Sequence, residues 1–256
     1  MSASVFLHPD LPACAVGDIV VVGGSEGHHA MAVQRLRAGE RVDVVDGRGT
    51  RVTGLVDATS TPRELRVCVE SVVFEAARLP RIVVVQAIPK SDRGELAVEL
   101  LTEVGVDAIV PWQAEHCVAR WSGDRGMKAH GRWVTTAREA TKQSRRSHMP
   151  DVEPACTTPE LLVRVREAVG RGVQVWMLHE AADAGMPSVS DAAEVWLVVG
   201  PEGGISPHEV TELVAAGAVP VRLGSTVFRS SSAGTVAAAV VSTLTGRWSD
   251  VHARMT

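Results

Sequence analysis

Residues 194–217 read EVWLVVGPEGGISPHEVTELVAAG, an apolar run that halts in glycine and restarts as a capped helix. Val195 to Val199 are five consecutive apolar, mostly β-branched residues, which is the composition of a strand covered on both faces. Ser206 fits an N-cap, Pro207 the first helical position and Glu209 the third, a capping box. Gly217 suits the stop. Gly200-Pro201-Glu202-Gly203-Gly204 therefore falls between a strand end and a helix start, where backbone N–H groups point outward and a ligand can come close. The same glycines also suit a plain tight turn, and this stretch alone leaves both readings open.

Outward from this stretch the pattern repeats. RIVVVQAI reads as a strand, SDRGELAVELLTEVG as a helix ending at Gly105, and VDAIVPW as the next strand. A helix over about 128–146, another over about 159–169 and the strand VQVWML follow. After the quoted unit come VPVRLG and a last helix, SSSAGTVAAAVVSTLTGRW. Repeated β-α-β order implies an α/β domain, a mostly parallel sheet with helices on both faces. The first 75 or so residues differ. GDIVVVGG, ERVDVVDGRGTRVTGLVDAT and RELRVCVESVVFE carry β-branched runs around the turn Asp46-Gly47, which favours a small barrel. HHAMAVQRLRAGE suits a helix between these strands, ended by Gly39. The expected domains are 1–75 and 80–256, divided near Leu79-Pro80.

A chain of 256 residues, 45% hydrophobic and free of low-complexity tracts, is long enough to bury a substantial core. Its longest apolar runs are far too short to span a bilayer, and the start MSASVFLHPD shows no secretory pattern. Cys14, Cys68, Cys117 and Cys156 stand 39 to 54 residues apart, too far for a zinc knuckle or a redox pair. A cytoplasmic protein with reduced thiols, no metal and no membrane partner is expected.

The net charge is −4, yet Arg120 to His148 hold eight basic residues against two acidic ones, a local +6. Such a run often marks only a solvated helix face. Here Arg138, Lys142 and Arg145 recur at helical spacing, with Gln143 and Arg146 between and beside them. Trp121 and Trp133 lie in the same segment, so phosphate contacts with base stacking are expected.

Ligands of a parallel α/β sheet sit beyond the carboxyl ends of its strands. Three such ends stand out: Leu178-His179-Glu180, Val199 to Gly204, and Leu223-Gly224 running on to Val227-Phe228-Arg229. HEAAD at 179–183 falls short of the zinc protease motif, because Asp183 stands where the second histidine is needed. No Gly-Lys-Ser/Thr follows the glycines, which excludes a P-loop, and the dinucleotide fingerprint is absent.

LVVGPEGGISPHEV followed by VRLGSTVFRSSSAGTVAAAV resembles the last two motifs of the knotted SPOUT methyltransferases, and within them the small-subunit rRNA uridine-N3 methyltransferases. The resemblance extends through LLTEVGVDAIVPWQAEHCV, WVTTAREATKQSRRSHMPDV and MLHEA to essentially the whole chain. It implies an N-terminal PUA-like β-barrel that binds RNA, a C-terminal trefoil-knotted sheet, and a homodimer acting on 16S rRNA of the small ribosomal subunit. It further implies that the three loops hold S-adenosylmethionine through Leu178, His179, Glu180, Val199, Gly200, Gly203, Gly204, Leu223, Gly224, Val227 and Phe228.

Uridine N3 carries a proton at neutral pH, so its methylation requires help with proton loss and in-line alignment. Arg229 resembles the family's motif arginine and is the candidate for stabilising the uracil anion or gripping a phosphate. A salt bridge to Glu202 is its plain structural alternative. Many family members have a glutamate two positions after that arginine, where this chain has Ser231, and a lysine where it has Leu100. Serine is a poor base, which leaves Glu202 as the nearest carboxylate by motif. Two other classes compete. Ser230-Ser231-Ser232-Ala233-Gly234 imitates the nucleophile elbow of a serine hydrolase built on Ser232, but the first glycine is missing and only His252 follows. A non-catalytic RNA-binding protein would use the barrel and the basic segment alone.

Overall fold

The computed structural model describes residues 3–90, 92–187 and 192–249. The chain forms two compact units, Met1–Ala77 with Arg138–Met149, and Arg78–Ala137 with Pro150–Thr256. The first segment of the first unit ends at Ala77. The return of 138–149 to the first unit has no counterpart in the sequence reading.

The first unit holds β1 (Ser4–Leu7), β2 (Ile19–Val22), α1 (Gly24–His28), β3 (Arg41–Val45), β4 (Thr50–Val56) and β5 (Leu65–Phe74). The strands order as β1-β3-β4-β5-β2. Alternation puts Phe6, Val20, Val22, Val42, Val44, Val52, Val56, Leu65 and Val67 into one core. Both edge strands reach this core, so the sheet curls around it as a small barrel. The helix expected over HHAMAVQRLRAGE is shorter than its pattern. α1 passes into a single π turn, His29–Val33, and the chain turns away at Arg35, whose φ is +58°.

The second unit holds β6 (Arg81–Ala87), α2 (Arg93–Val104), β7 (Ala108–Gln113), most of α3 (Gly123–Gln143), β8 (Asp151–Val152) and β9 (Cys156–Thr157). It continues with α4 (Thr158–Gly170), β10 (Gln174–Leu178), β11 (Glu194–Val199), α5 (Pro207–Ala215), β12 (Val219–Val221) and α6 (Ser230–Leu244). Its sheet runs β12-β10-β11-β6-β7-β8, with β9 also on β7. Every pairing is parallel. Burial explains the continuous apolar runs: Ile82 to Val85 and Val195 to Val199 are all at most 7% exposed. α4 and α5 cover one face, with Leu161, Val165 and Leu213 in its core. α6 packs on α2, β11 and β6 on the other.

The quoted helix is built as its caps require. Ser206 Oγ accepts from Glu209 N–H at 3.2 Å, and the Glu209 carboxylate accepts from Ser206 N–H at 3.2 Å. β12 pairs with β10 on the side away from β11, whereas α6 returns over β11 and β6. Arg222 N–H donates to the Ala184 carbonyl at 2.9 Å, so the segment leaving β12 lies against the start of the loop that follows β10. This strand order, with α6 carried back over β11 and β6, is the one expected of a trefoil-knotted sheet, a rare exception to unthreaded topology.

Candidate active site

The carboxyl ends of β10, β11 and β12 open on one cleft of about 540 Å³ in the second unit. Leu178, His179, Glu180, Val199, Gly200, Gly203, Gly204, Leu223, Gly224, Val227 and Phe228 all line it, and so do Glu202 and Arg229. Residues from three loops, up to 51 positions apart, thus share one wall because parallel strands put all their carboxyl ends at one edge.

Two glycines leave space that a side chain would fill. Gly204 has φ +73° and Gly224 φ +149°, and a Cβ built on either meets nothing within 4 Å. Gly203 is glycine for another reason: its Cβ would lie 3.1 Å from the His116 Cβ. His116 Nδ1 stands 3.0 Å from the Gly203 carbonyl and 3.1 Å from that of Gly204. Carbonyls only accept, so Nδ1 carries the proton. Beside it, Glu115 N–H donates to Glu209 Oε1 at 2.8 Å, and Thr158 Oγ1 donates to the same oxygen at 2.7 Å. The loop after β7 thereby backs the glycine loop through His116 and the first turn of α5 through Glu115, a support that the sequence motifs did not signal.

Glu202 is not bridged to Arg229. Its Oε1 lies 3.6 Å from Arg93 Nη1 and accepts from Lys90 N–H at 3.3 Å. Arg93 itself lines the cleft. It stands at a helix start with no motif around it, so no sequence pattern marks it. Arg229 precedes α6 with φ −65° and ψ 148°, and its carbonyl accepts from Ser232 and Ala233 N–H at 3.0 and 2.9 Å. The backbone is pinned there, while the exposed guanidinium has no ion pair among the described residues. Ser231 is 6% exposed within the first turn of α6. Ser232 Oγ donates to the Arg229 carbonyl at 3.3 Å. His252, the histidine a serine nucleophile would need, lies outside the described residues. Burial pushes the Cys117 and Cys156 thiols up to about 11, so neither supplies a thiolate. Among the described residues no group of three or more His, Cys, Asp or Glu could hold a metal ion, and no helix is long and apolar enough to cross a membrane.

The basic segment is engaged within the first unit. Lys142 Nζ meets Glu26 Oε1 at 2.9 Å and Glu139 at 2.8 Å, and Arg138 Nη2 meets Glu26 at 3.5 Å. Lys142 keeps only 11% of its side chain exposed. Gln143 and Arg145 are exposed and, with Lys142, His29 and Gln34, line a hollow of about 210 Å³. Arg145 has φ +56°, and its carbonyl accepts from Arg51 at 2.9 Å. Arg146 is half-buried, its N–H on the Thr141 carbonyl at 3.0 Å. Base stacking on the tryptophans is ruled out for Trp133, which is 2% exposed. Its ring meets Trp121 edge-on with centroids 5.0 Å apart, so the two serve packing in the second unit.

Residues 77–242 match the model of an RNA methyltransferase domain, and residues 22–60 that of an RNA methyltransferase PUA domain. Ribosomal RNA small subunit methyltransferase E of Mycobacterium bovis is 45% identical over 250 residues, 97% of this chain and 94% of that one. The chain belongs to the ribosomal RNA small subunit methyltransferase E family. The Bacillus subtilis member is 26% identical over 86% of this chain and 88% of its own. Among solved structures, the Neisseria gonorrhoeae member bound to S-adenosyl methionine superimposes with a TM-score of 0.83 at 23% identity, covering 95% of this chain and 98% of that one. Family membership and this fold account together for the curled first sheet and the parallel second one.

Proposed function

We propose that this protein transfers a methyl group from S-adenosylmethionine to N3 of a specific uridine in 16S rRNA of the small ribosomal subunit. The observation that carries the reading is the convergence of the three loops on one cleft, whose volume suits a cofactor-sized ligand. The residues fit the cofactor: two glycines leave open room in the wall, and Glu180 offers a carboxylate at its rim. Leu178 to Glu180, Val199, Gly200, Gly203, Gly204 and Leu223 to Phe228 would hold it. When bound, it supplies an electrophilic methyl group on a sulfonium. Glu202 takes the proton from uridine N3, and Arg229 stabilises the negative charge that spreads to the uracil oxygens. Gln143, Arg145 and Arg146, with the ion-paired Arg138 and Lys142, give the first unit its RNA-facing side. In this reading the working form is a cytoplasmic homodimer.

The test is methyl transfer to small subunits taken from a strain lacking the protein, followed by nucleoside mapping. Label in 3-methyluridine is expected; label in any other nucleoside overturns the N3 assignment, and no label overturns the reaction. Gly204→Val should also separate site from scaffold. The left-handed backbone alone costs about 1–2 kcal/mol with a side chain present, and the valine would project into the open room. Calorimetry on the folded variant should find S-adenosylmethionine affinity lost; wild-type affinity would mean that the cofactor does not approach this loop.

A further inference from the structure

Gln86 is the penultimate residue of β6, in the middle of the parallel sheet, and is wholly buried. Chemistry fixes its orientation. The Ala87 carbonyl can only accept, so the atom 3.1 Å from it is the amide nitrogen. That nitrogen also donates to Ser230 Oγ at 3.1 Å. Ser230 in turn donates its single proton to the Gly200 carbonyl at 2.7 Å. Hydrogen bonds therefore run in one direction, from β6 through the first residue of α6 to the first residue of the glycine loop. The other end of the amide is left over: Gln86 Oε1 has no partner among the described residues.

For stability alone this is a poor residue. An unsatisfied buried acceptor is costly, and an unbranched apolar side chain of the same length would avoid the cost. Proteins keep such a group where placement matters more than stability. We infer that Gln86 is a positioning residue for the cleft. Through Ser230 it ties the glycine loop to the segment carrying Arg229, and so sets the separation of two walls that the sequence places 30 residues apart. Ser230 lines the cleft and Gln86 does not, so Gln86 acts on a ligand only through its neighbour. The inference deepens the proposed function and rests on it for the identity of the ligand.

The experiment compares the full-length wild type with Gln86→Met, Ser230→Ala, the double variant and Ser230→Thr. It reads amide hydrogen exchange over residues 200–204 and 229–231, S-adenosylmethionine affinity by calorimetry, and the melting temperature. Each single variant should speed exchange in both segments and weaken binding about tenfold, the scale of one lost hydrogen bond. The double variant should be no worse than either single, because the bonds act in series. Ser230→Thr keeps the hydroxyl and should restore both readouts, and Gln86→Met should melt no lower than wild type. A Gln86→Met protein that melts lower but keeps wild-type exchange and affinity would make Gln86 a space-filler and overturn the inference. If that variant does not fold, Ser230→Ala decides by the same two readouts. Should the wild type take up no S-adenosylmethionine, the exchange data still decide the role of Gln86, and the proposed function is what falls.

Discussion

Replacing Arg229 with lysine should lower single-turnover methyl transfer about a hundredfold, the scale of losing one preorganised donor to a developing anion. Cofactor affinity should stay at the wild-type value. Lysine keeps the charge but loses the planar fork that can meet a delocalised anion at two points. The geometry favours a large effect, because the Arg229 backbone is held by two helical N–H groups and its guanidinium is committed to no carboxylate among the described residues. Glu202→Gln separates the two roles. A base needs a lone pair that can take a proton, which a carboxylate offers and an amide does not, so Glu202→Gln should lower single-turnover transfer about a hundredfold at unchanged cofactor affinity. Ser231→Ala should transfer at the wild-type rate, since Ser231 is buried in the first turn of α6. A Glu202→Gln protein with the wild-type rate would return Glu202 to the lesser task of holding Arg93 and the Lys90 backbone. Wild-type rates in both variants would remove both assignments.

The second large effect falls on stability. Glu26→Ala should destabilise the first unit by about 3 kcal/mol, because breaking a buried ion pair strands the remaining charge. Glu26 and Lys142 keep 9% and 11% of their side chains exposed, and Arg138 shares the same carboxylate oxygen. Glu139 on the solvent side of Lys142 holds the loss to the lower end of the usual range. Denaturant unfolding would check it. Pairing the change with Lys142→Met should recover most of the loss, since the cation that remains, Arg138, keeps 33% of its side chain exposed and can be hydrated. A loss confined to a few tenths of a kcal/mol would show that the three groups are hydrated in solution. RNA-binding measurements on Lys142 variants need the same stability control, because the residue is a structural partner before it is a phosphate ligand.

The physics of the two cases explains what the sequence disclosed. β-branched runs such as Ile82–Val85, the caps Ser206 and Glu209 and the stop at Gly105 act locally, so pattern alone placed most strands and helices. The three strand-end loops followed from parallel order and from motif. What stayed hidden depends on partners distant in sequence. A row of cations at helical spacing looks the same whether it faces phosphate or Glu26, and Glu26 lies in a stretch without periodicity. Trp133 beside arginines suggested stacking on bases until its burial was visible. Gln86 and Arg93 carry no motif, and the two-residue strands β8 and β9 are too short to show a period. The π turn after α1 ended a helix that its apolar spacing would have continued to Gly39.

The return of residues 138–149 to the first unit bears on modularity. A fragment stopped at Ala77 would leave Glu26 without Lys142 and strip Met149 from Val5, Leu7 and Val45. The backbone would lose the bonds from Gly49 N–H to the Ser147 carbonyl and from Met149 N–H to the Gly47 carbonyl. The N-terminal module is therefore not a cassette that recombination could lift out with one cut. Its last piece is encoded inside its neighbour's gene segment, so a single crossover at that boundary would part the module from a piece of itself.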